Sequence, residues 1–276
     1  MKNKKRFLAL LAASLLLGLY LATLVFALID SPFAYMMFKI CLYCTIAIPV
    51  LIYVMVLVYR QLKEKNREIY GERLDSVIFD VGNVLVDYNW KKYLDSFGYD
   101  EKKKEVLANA MFLSPVWQEA DRGILTPEEL TKEFVKNAPE YEAELRLLYQ
   151  NPGGTITAFD YAKDWIRSLK KRGIKVYILS NYSKRIFEQT QKELDFLHLV
   201  DGSLFSFQCN KIKPDREIYE DLIRTYHINP AHAVFVDDRQ DNVDGAKNAG
   251  LQALRFTTYP DTSAALERLL MTAGSE

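Results

Sequence analysis

Four stretches of this 276-residue chain carry residues that could do chemistry together. The first, "VIFD" (Val77–Asp80), delivers the carboxylate of Asp80 after three apolar residues. "KVYILSN" ends in Ser180 and Asn181, "AVFVDD" ends in Asp237 and Asp238, and Lys213 precedes Pro214 in the stretch between them. Singly, each has a plain reading, because Asp, Ser and Asn cap turns and helices and a loop lysine is usually solvated. Together they form a carboxylate nucleophile, a hydroxyl, a cation and a carboxylate pair. That set suits phosphoryl transfer, with hard oxygen ligands for Mg²⁺ and donors for phosphate oxygens. Carboxylates arriving from distant strands repel one another unless a metal ion lies between them.

The elements that must position these residues follow from periodicity. Val77–Phe79, Lys175–Ser180, Ala233–Asp238 and Gln252–Phe256 are short apolar runs bounded by turn residues, the pattern of buried strands. Helical spacing fills 159–171 (stopped by Gly173), 184–194 and 216–226, and 204–207 is a further apolar segment. Strands alternating with helices predict right-handed crossovers and a Rossmann-like parallel sheet with helices on both faces. Ligands of such a sheet bind outside the carboxyl ends of its strands, where Asp80 would lie. Residues 74–87 and 156–276 are therefore expected to form this α/β domain. Between them, 88–155 reads as a helical insert, with apolar three- and four-residue spacing in 90–112 and 126–138. Thr126, Pro127 and Glu129 form a capping box, and "NPGGT" (151–155) closes the insert.

The N-terminal part differs in character. Residues 7–29 and 40–59 are apolar spans without a charge, the first about as long as a bilayer requires. Asp30, Ser31 and Pro32 punctuate the gap, Pro49 sits within the second span, and the charged 61–73 reads as a linker helix. Lys2, Lys4, Lys5 and Arg6 precede the first span and Arg60 follows the second. Residues 1–60 are thus expected to be a transmembrane hairpin, with both termini and the catalytic domain cytoplasmic. Lys39 would be the one basic residue on the outer side. The chain is neutral overall, and its acidic larger part has no basic stripe, which argues against a nucleic-acid partner. His198, His227 and His232 lack zinc-ligand spacing. Cys41 and Cys44 lie three apart in an apolar helix and behave as small hydrophobes, and with Cys209 they give no disulfide framework.

In order and spacing, "FDVGNVLVD", "ILSN", "IKP" and "VFVDDRQDNVDGA" resemble the four motifs of the haloacid dehalogenase superfamily over about residues 74–260. The flavour is similar to its α-D-glucose-1-phosphate phosphatase-like branch, itself related to the phosphatase domain of soluble epoxide hydrolase. The resemblance implies that Asp80 becomes an aspartyl-phosphate and also binds Mg²⁺, that Gly82 offers its carbonyl to the metal, and that Asp238 ligates it. Asp237 and Asn242 would support that shell. Ser180 and the amide of Asn181 would hold phosphate, and Lys213 would neutralise the nucleophile and phosphoryl group. The insert would be the family's cap, with a loop at 117–129 that makes Asp121 and Arg122 candidate substrate contacts. One departure matters: most phosphatases of the superfamily place a second Asp, the leaving-group acid, where this chain has Gly82, although the named branch shares the Gly. Asp87 is then a candidate donor. The expected function is a membrane-anchored, Mg²⁺-dependent phosphatase of a small cytoplasmic phosphomonoester such as a sugar phosphate. A hydrolytic 2-haloacid dehalogenase, or a non-catalytic phosphate-binding domain at the membrane, is the alternative.

Overall fold

Strands form in this chain where apolar residues run without a break, because both faces of its main sheet are covered. The computed structural model describes residues 17–70 and 74–272, in two units, Met1–Tyr70 and Gly71–Glu276.

The first unit holds α1 (Leu17–Ala27) and α2 (Pro32–Tyr70). The Ser31 hydroxyl accepts the Ala34 N–H at 3.1 Å and caps α2, and Pro32 follows at the first helical position, where its missing N–H costs nothing. The second helix therefore begins at Pro32, not near residue 40. It passes Pro49 and continues through the charged stretch to Tyr70 as one element. Lys39 consequently lies within the helix, its ammonium 4.3 Å from the Tyr35 ring centroid, and not in an outer loop. Pro32–Val58 has 27 residues of mean hydropathy 2.5. At 1.5 Å per residue that segment is about 40 Å long, enough to cross a bilayer. Among the described residues it is the one helix with that length and composition. The first expected span, 7–29, begins outside the described residues, and α1 within them is shorter. Cys41, Cys44 and Cys209 are free thiols.

In chain order the second unit contains β1 (Ser76–Phe79), β2 (Val86–Tyr88), α3 (Trp90–Asp95), α4 (Glu101–Ala110), α5 (Pro115–Arg122), α6 (Pro127–Asn137) and α7 (Glu142–Gln150). There follow β3 (Ile156–Ala158), α8 (Ala162–Lys171), β4 (Lys175–Ser180), α9 (Lys184–Gln189), β5 (Gly202–Phe205) and α10 (Ser206–Cys209). Last come α11 (Arg216–Tyr226), β6 (Ala233–Asp237), α12 (Gln240–Asn248), β7 (Gln252–Arg255) and α13 (Tyr259–Thr272). Five parallel strands lie in the order β5-β4-β1-β6-β7. Successive side chains leave opposite faces of a strand. Val77, Phe79, Val176, Ile178, Val234 and Val236 meet Trp165, Ile166 and Leu169 of α8 and Leu266 and Leu270 of α13. The intervening Ile78, Tyr177, Leu179 and Phe235 meet Ile218, Tyr219 and Leu222 of α11 and Ala246 of α12. Burial on both faces is why these strands read as continuous apolar runs.

The helical block α3–α7 has its own core around Leu107, Met111, Phe134 and Leu145. Its helices differ in part from the expected ones. Residues 90–112 form two helices, because Gly98 takes a φ of 67° and Asp100 caps α4 by accepting the Lys103 N–H. The stretch expected as a loop facing the site is divided between the end of α5, a short connection and the start of α6. The block hangs on an antiparallel ribbon in which β2 pairs with β3, Val86 opposite Ala158. Trp117 of α5 packs against both the block and the sheet domain.

Candidate active site

The chain builds outward from β1 to β4 and β5, then crosses back to add β6 and β7 on the other side. That reversal opens a crevice at the carboxyl ends of β1, β4 and β6. Phe79 is in register with both Ile178 and Val236, and the Asp80 N–H donates to the Val236 carbonyl at 2.9 Å. Register alone therefore brings Asp80, Ser180 and Asp237 to one place.

One oxygen of Asp80 is fully engaged. Its Oδ1 accepts from the Val81 N–H (2.7 Å), the Ser180 hydroxyl (2.7 Å) and the Lys213 ammonium (2.8 Å). Its Oδ2 accepts no hydrogen bond from the described residues, so the carboxylate is clamped by one oxygen and presents the other. Lys213 is as tightly held, with 1% of its side chain exposed. Its three N–H donors go to Asp80, to Asp237 Oδ2 at 2.7 Å and to the Leu179 carbonyl at 3.1 Å, which exhausts an ammonium group. Asp237 in turn accepts from Asn242 Nδ2 and the Arg239 N–H. Asp237, braced by Asn242, thus anchors Lys213. Asn181 has a similar task. Its side chain donates to the Lys213 carbonyl (2.9 Å) and accepts the Lys213 N–H (2.8 Å), leaving only its main-chain N–H for a ligand.

Burial pushes Asp80 up to about 7, against the pull of Lys213 and with the charge of Asp237 adding to the rise. Burial alone would lower Lys213, but Asp237 and Asp80 outweigh it and hold the ammonium above its ordinary value. Asp238 is raised as well, by burial first, although Asn83 Nδ2 donates to its Oδ2 at 3.0 Å. Acidic oxygens of Asp80, Asp237 and Asp238 lie within 4.8 Å of one another. With Asp237 committed to Lys213, the free oxygen of Asp80, the carboxylate of Asp238 and the nearby Gly82 carbonyl remain as hard oxygen donors. A negative site with such donors fits Mg²⁺.

The helical block contributes from above. Helix α5 ends at Arg122 because Gly123 adopts a φ of 70°, and a Cβ there would lie 2.9 Å from Phe207 Cβ. Ser206 accepts the Tyr182 N–H (2.9 Å) and donates to the Asp121 carbonyl (2.6 Å), while Asn210 donates to the Arg122 carbonyl. The end of α5 is thereby fastened to the loops after β4 and β5. The Asp121 side chain forms no hydrogen bond or ion pair among the described residues. Burial raises it to about 7, with the charge of Asp80 adding and Lys213 and Arg239 opposing, which places it within electrostatic reach of all three. Arg122, the other expected contact, is occupied by Glu119 and Asp215. Asp87 lies on β2 beside Tyr88, whose ring feels the charge of Asp121. Neighbours on a strand face opposite ways, so Asp87 and Tyr88 point to opposite faces of the ribbon.

Asn83, Tyr88, Ser206 and Arg239 escaped sequence reasoning. Asn83 alone carried a signal, an Asn after Gly in a turn, and it does adopt a left-handed φ of 56°.

Comparison with known proteins agrees with this geometry. The chain is 25% identical over 195 residues to the sesquiterpene phosphatase astK of Aspergillus oryzae, covering 71% of this chain and 96% of that protein. It is 25% identical over 192 residues to the D-ribitol-5-phosphate phosphatase of Bacteroides thetaiotaomicron, covering 66% and 91%. A haloacid dehalogenase family enzyme of Bacteroides thetaiotaomicron, solved with magnesium and inorganic phosphate, shares the fold at a TM-score of 0.54 and 18% identity, covering 67% of this chain and 96% of its own. The model of the haloacid dehalogenase-like hydrolases matches residues 74–250, well over half of the chain, and the protein is a hydrolase of that family.

Proposed function

We propose that this chain is a Mg²⁺-dependent phosphatase that hydrolyses a small phosphomonoester through an aspartyl-phosphate on Asp80. The carrying observation is the asymmetry of Asp80, with Oδ1 held by three donors and Oδ2 free beside Asp238. A carboxylate so fixed is oriented for in-line attack on phosphorus. The Asn181 main-chain N–H, and the Ser180 hydroxyl once its proton turns from Asp80 Oδ1, would donate to phosphate oxygens. Lys213, its three protons already committed, lowers the raised Asp80 and would counter the charge of the phosphoryl group through space. Asp80, Asp238 and the Gly82 carbonyl would hold Mg²⁺, which supplies charge neutralisation for the phosphoryl group. The phosphatases among the relatives support this reading. A sugar phosphate is the substrate class favoured by the likeness to the glucose-1-phosphate phosphatase-like motifs. We place the site on the cytoplasmic side of a two-span anchor, a reading supported by the exposed apolar surface of α2 (Leu51, Tyr53, Met55 and their neighbours) and the basic N-terminus.

The test is phosphate release from a metabolite panel by the full chain in detergent, with Mg²⁺ and with EDTA, beside the Asp80→Asn variant. Turnover in Mg²⁺ that disappears in EDTA and in the variant is expected. Turnover surviving Asp80→Asn refutes covalent catalysis, and EDTA-resistant activity on a 2-haloacid instead of an ester establishes the dehalogenase alternative. Accessibility tags at residue 30, in the break before α2, and at the C-terminus should lie on opposite sides of the membrane, and tags on the same side reject the hairpin.

A further inference from the structure

We propose that Asp121, from the helical block, protonates the departing ester oxygen and then deprotonates the water that releases phosphate. The inference rests on the phosphatase reading above and supplies the proton donor that Gly82 cannot. Its ground is placement. Three contacts fasten the end of α5 to the loops at the mouth of the crevice: Ser206 to the Asp121 carbonyl, Asn210 to the Arg122 carbonyl, and Gly123 against Phe207, with Ser206 itself held by the Tyr182 N–H. A second, independent observation lies across from it. The Tyr88 hydroxyl is buried and has no hydrogen-bond partner, and its surroundings include the charge of Asp121. Buried polar atoms are nearly always paired, so a buried phenol without a partner, within electrostatic reach of a half-buried carboxyl without one, marks the place of a ligand oxygen. The ester oxygen leaving from phosphorus bonded to Asp80 is that oxygen.

The chemistry balances. The Asp80 carboxylate attacks phosphorus, the bond from phosphorus to the ester oxygen breaks, and that oxygen takes its electron pair and the proton of Asp121. The alcohol leaves, with Asp80 phosphorylated and Asp121 ionised. Water then attacks phosphorus and gives a proton to Asp121, while the bond from phosphorus to Asp80 breaks and its electrons return to the carboxylate. Water and ester have become alcohol and phosphate, and both aspartates are restored. The titratable and charged groups within electrostatic reach of Asp121 are Asp80 after β1, Tyr88 on β2, Tyr149 on α7, Tyr182 after β4, Lys213 before α11 and Arg239 before α12. Burial leaves Asp121 near 7, suited to both giving and taking a proton at neutral pH.

The experiment measures kcat/KM of the full chain in detergent for phosphate esters running from p-nitrophenyl to primary alkyl. Asp121→Asn should lower the alkyl esters by roughly 10²- to 10³-fold and p-nitrophenyl phosphate by only a few fold, because a nitrophenolate leaves without help. The alkyl-ester pH profile of that variant should lose its alkaline fall, and Asp121→Glu should recover part of the rate. Asp121→Ala repeats the comparison in case the Asn variant unfolds, with thermal unfolding as the check. Equal loss across the series in a folded variant, or no loss, overturns the assignment. Absence of phosphate release by the wild type from every ester refutes the phosphatase reading instead, so the two failures are distinct.

Discussion

Replacing Lys213 by Met removes a buried cation held between two carboxylates. Lys213 is 1% exposed and Asp237 0%, so neither partner can turn to water when the ammonium is lost. Breaking a buried ion pair by deleting one partner costs about 3–5 kcal/mol, because a charge is left in the interior without compensation. For a domain of this size that corresponds to a loss of roughly 10 °C in Tm. The pH dependence identifies the cause. Asp80 is already raised from 3.8 to about 7, so its folded form binds protons more tightly than its unfolded form. Such a group costs stability as pH rises through that window, and the cost is absent at low pH, where both forms are protonated. Without Lys213 the rise is larger and the cost extends to higher pH. The gap between wild type and Lys213→Met should therefore be widest above pH 7 and close as pH falls toward 5. Thermal unfolding of the full chain in detergent with EDTA, at intervals from pH 5 to pH 9, measures it. A gap that stays constant with pH, or one below about 1 kcal/mol, would refute the electrostatic account of Lys213.

Three further outcomes follow from the site's geometry. A Cβ on Gly82 meets nothing within 4 Å, so Gly82→Asp should fold normally and, combined with Asp121→Asn, restore part of the alkyl-ester rate in the same kinetic series. Asn83→Ala removes the hydrogen bond that orients Asp238, and a Mg²⁺ titration of phosphate release should show a requirement raised by roughly 10-fold or more. Gly245→Ala would put a Cβ 2.6 Å from the carbonyl of Pro214, the residue after Lys213. It should cost about 1–3 kcal/mol in thermal unfolding and depress turnover, since the lysine's loop must shift.

What could be read before folding, and what could not, divides on the range of the interactions. Lys175–Ser180 and Arg216–Tyr226 have the bounds their residue patterns indicate, because continuous apolar burial and a single apolar helix face are local signals. The convergence of Asp80, Ser180 and Asp237 was also legible, since parallel register brings strand ends together whatever the loops do. The ribbon of β2 and β3 was not. Each strand has three residues, and their pairing depends on contacts about seventy positions apart. Side-chain commitments were equally hidden. Nothing local shows that Asp237 faces Lys213 while its neighbour Asp238 faces Asn83, or that the Asn181 side chain serves the main chain of Lys213. Strand alternation separates Asp237 from Asp238, but which one faces the lysine depends on loops arriving from elsewhere.

Asp80 and Asp121 reach their similar raised values by different constructions, and the difference explains their division of labour. Asp80 is buried but held by Lys213, Ser180 and Val81, which fix one of its oxygens, so in the proposed reaction its orientation suits a nucleophile. Asp121 is half-buried with no donor of its own and sees the charge of Asp80, so in that reaction it is free to carry a proton to a ligand oxygen. Two carboxyl groups facing one phosphorus can take opposite roles only if their surroundings treat their charges differently. Here that difference is one lysine and two local donors on Asp80, against none on Asp121. The arrangement costs stability, since a carboxyl raised from 3.8 to about 7 disfavours the folded state as pH rises between those values. An Asp121→Asn variant that loses alkyl-ester turnover should for this reason unfold at a higher temperature than the wild type at pH 8, the exchange expected when a destabilising group is kept for catalysis.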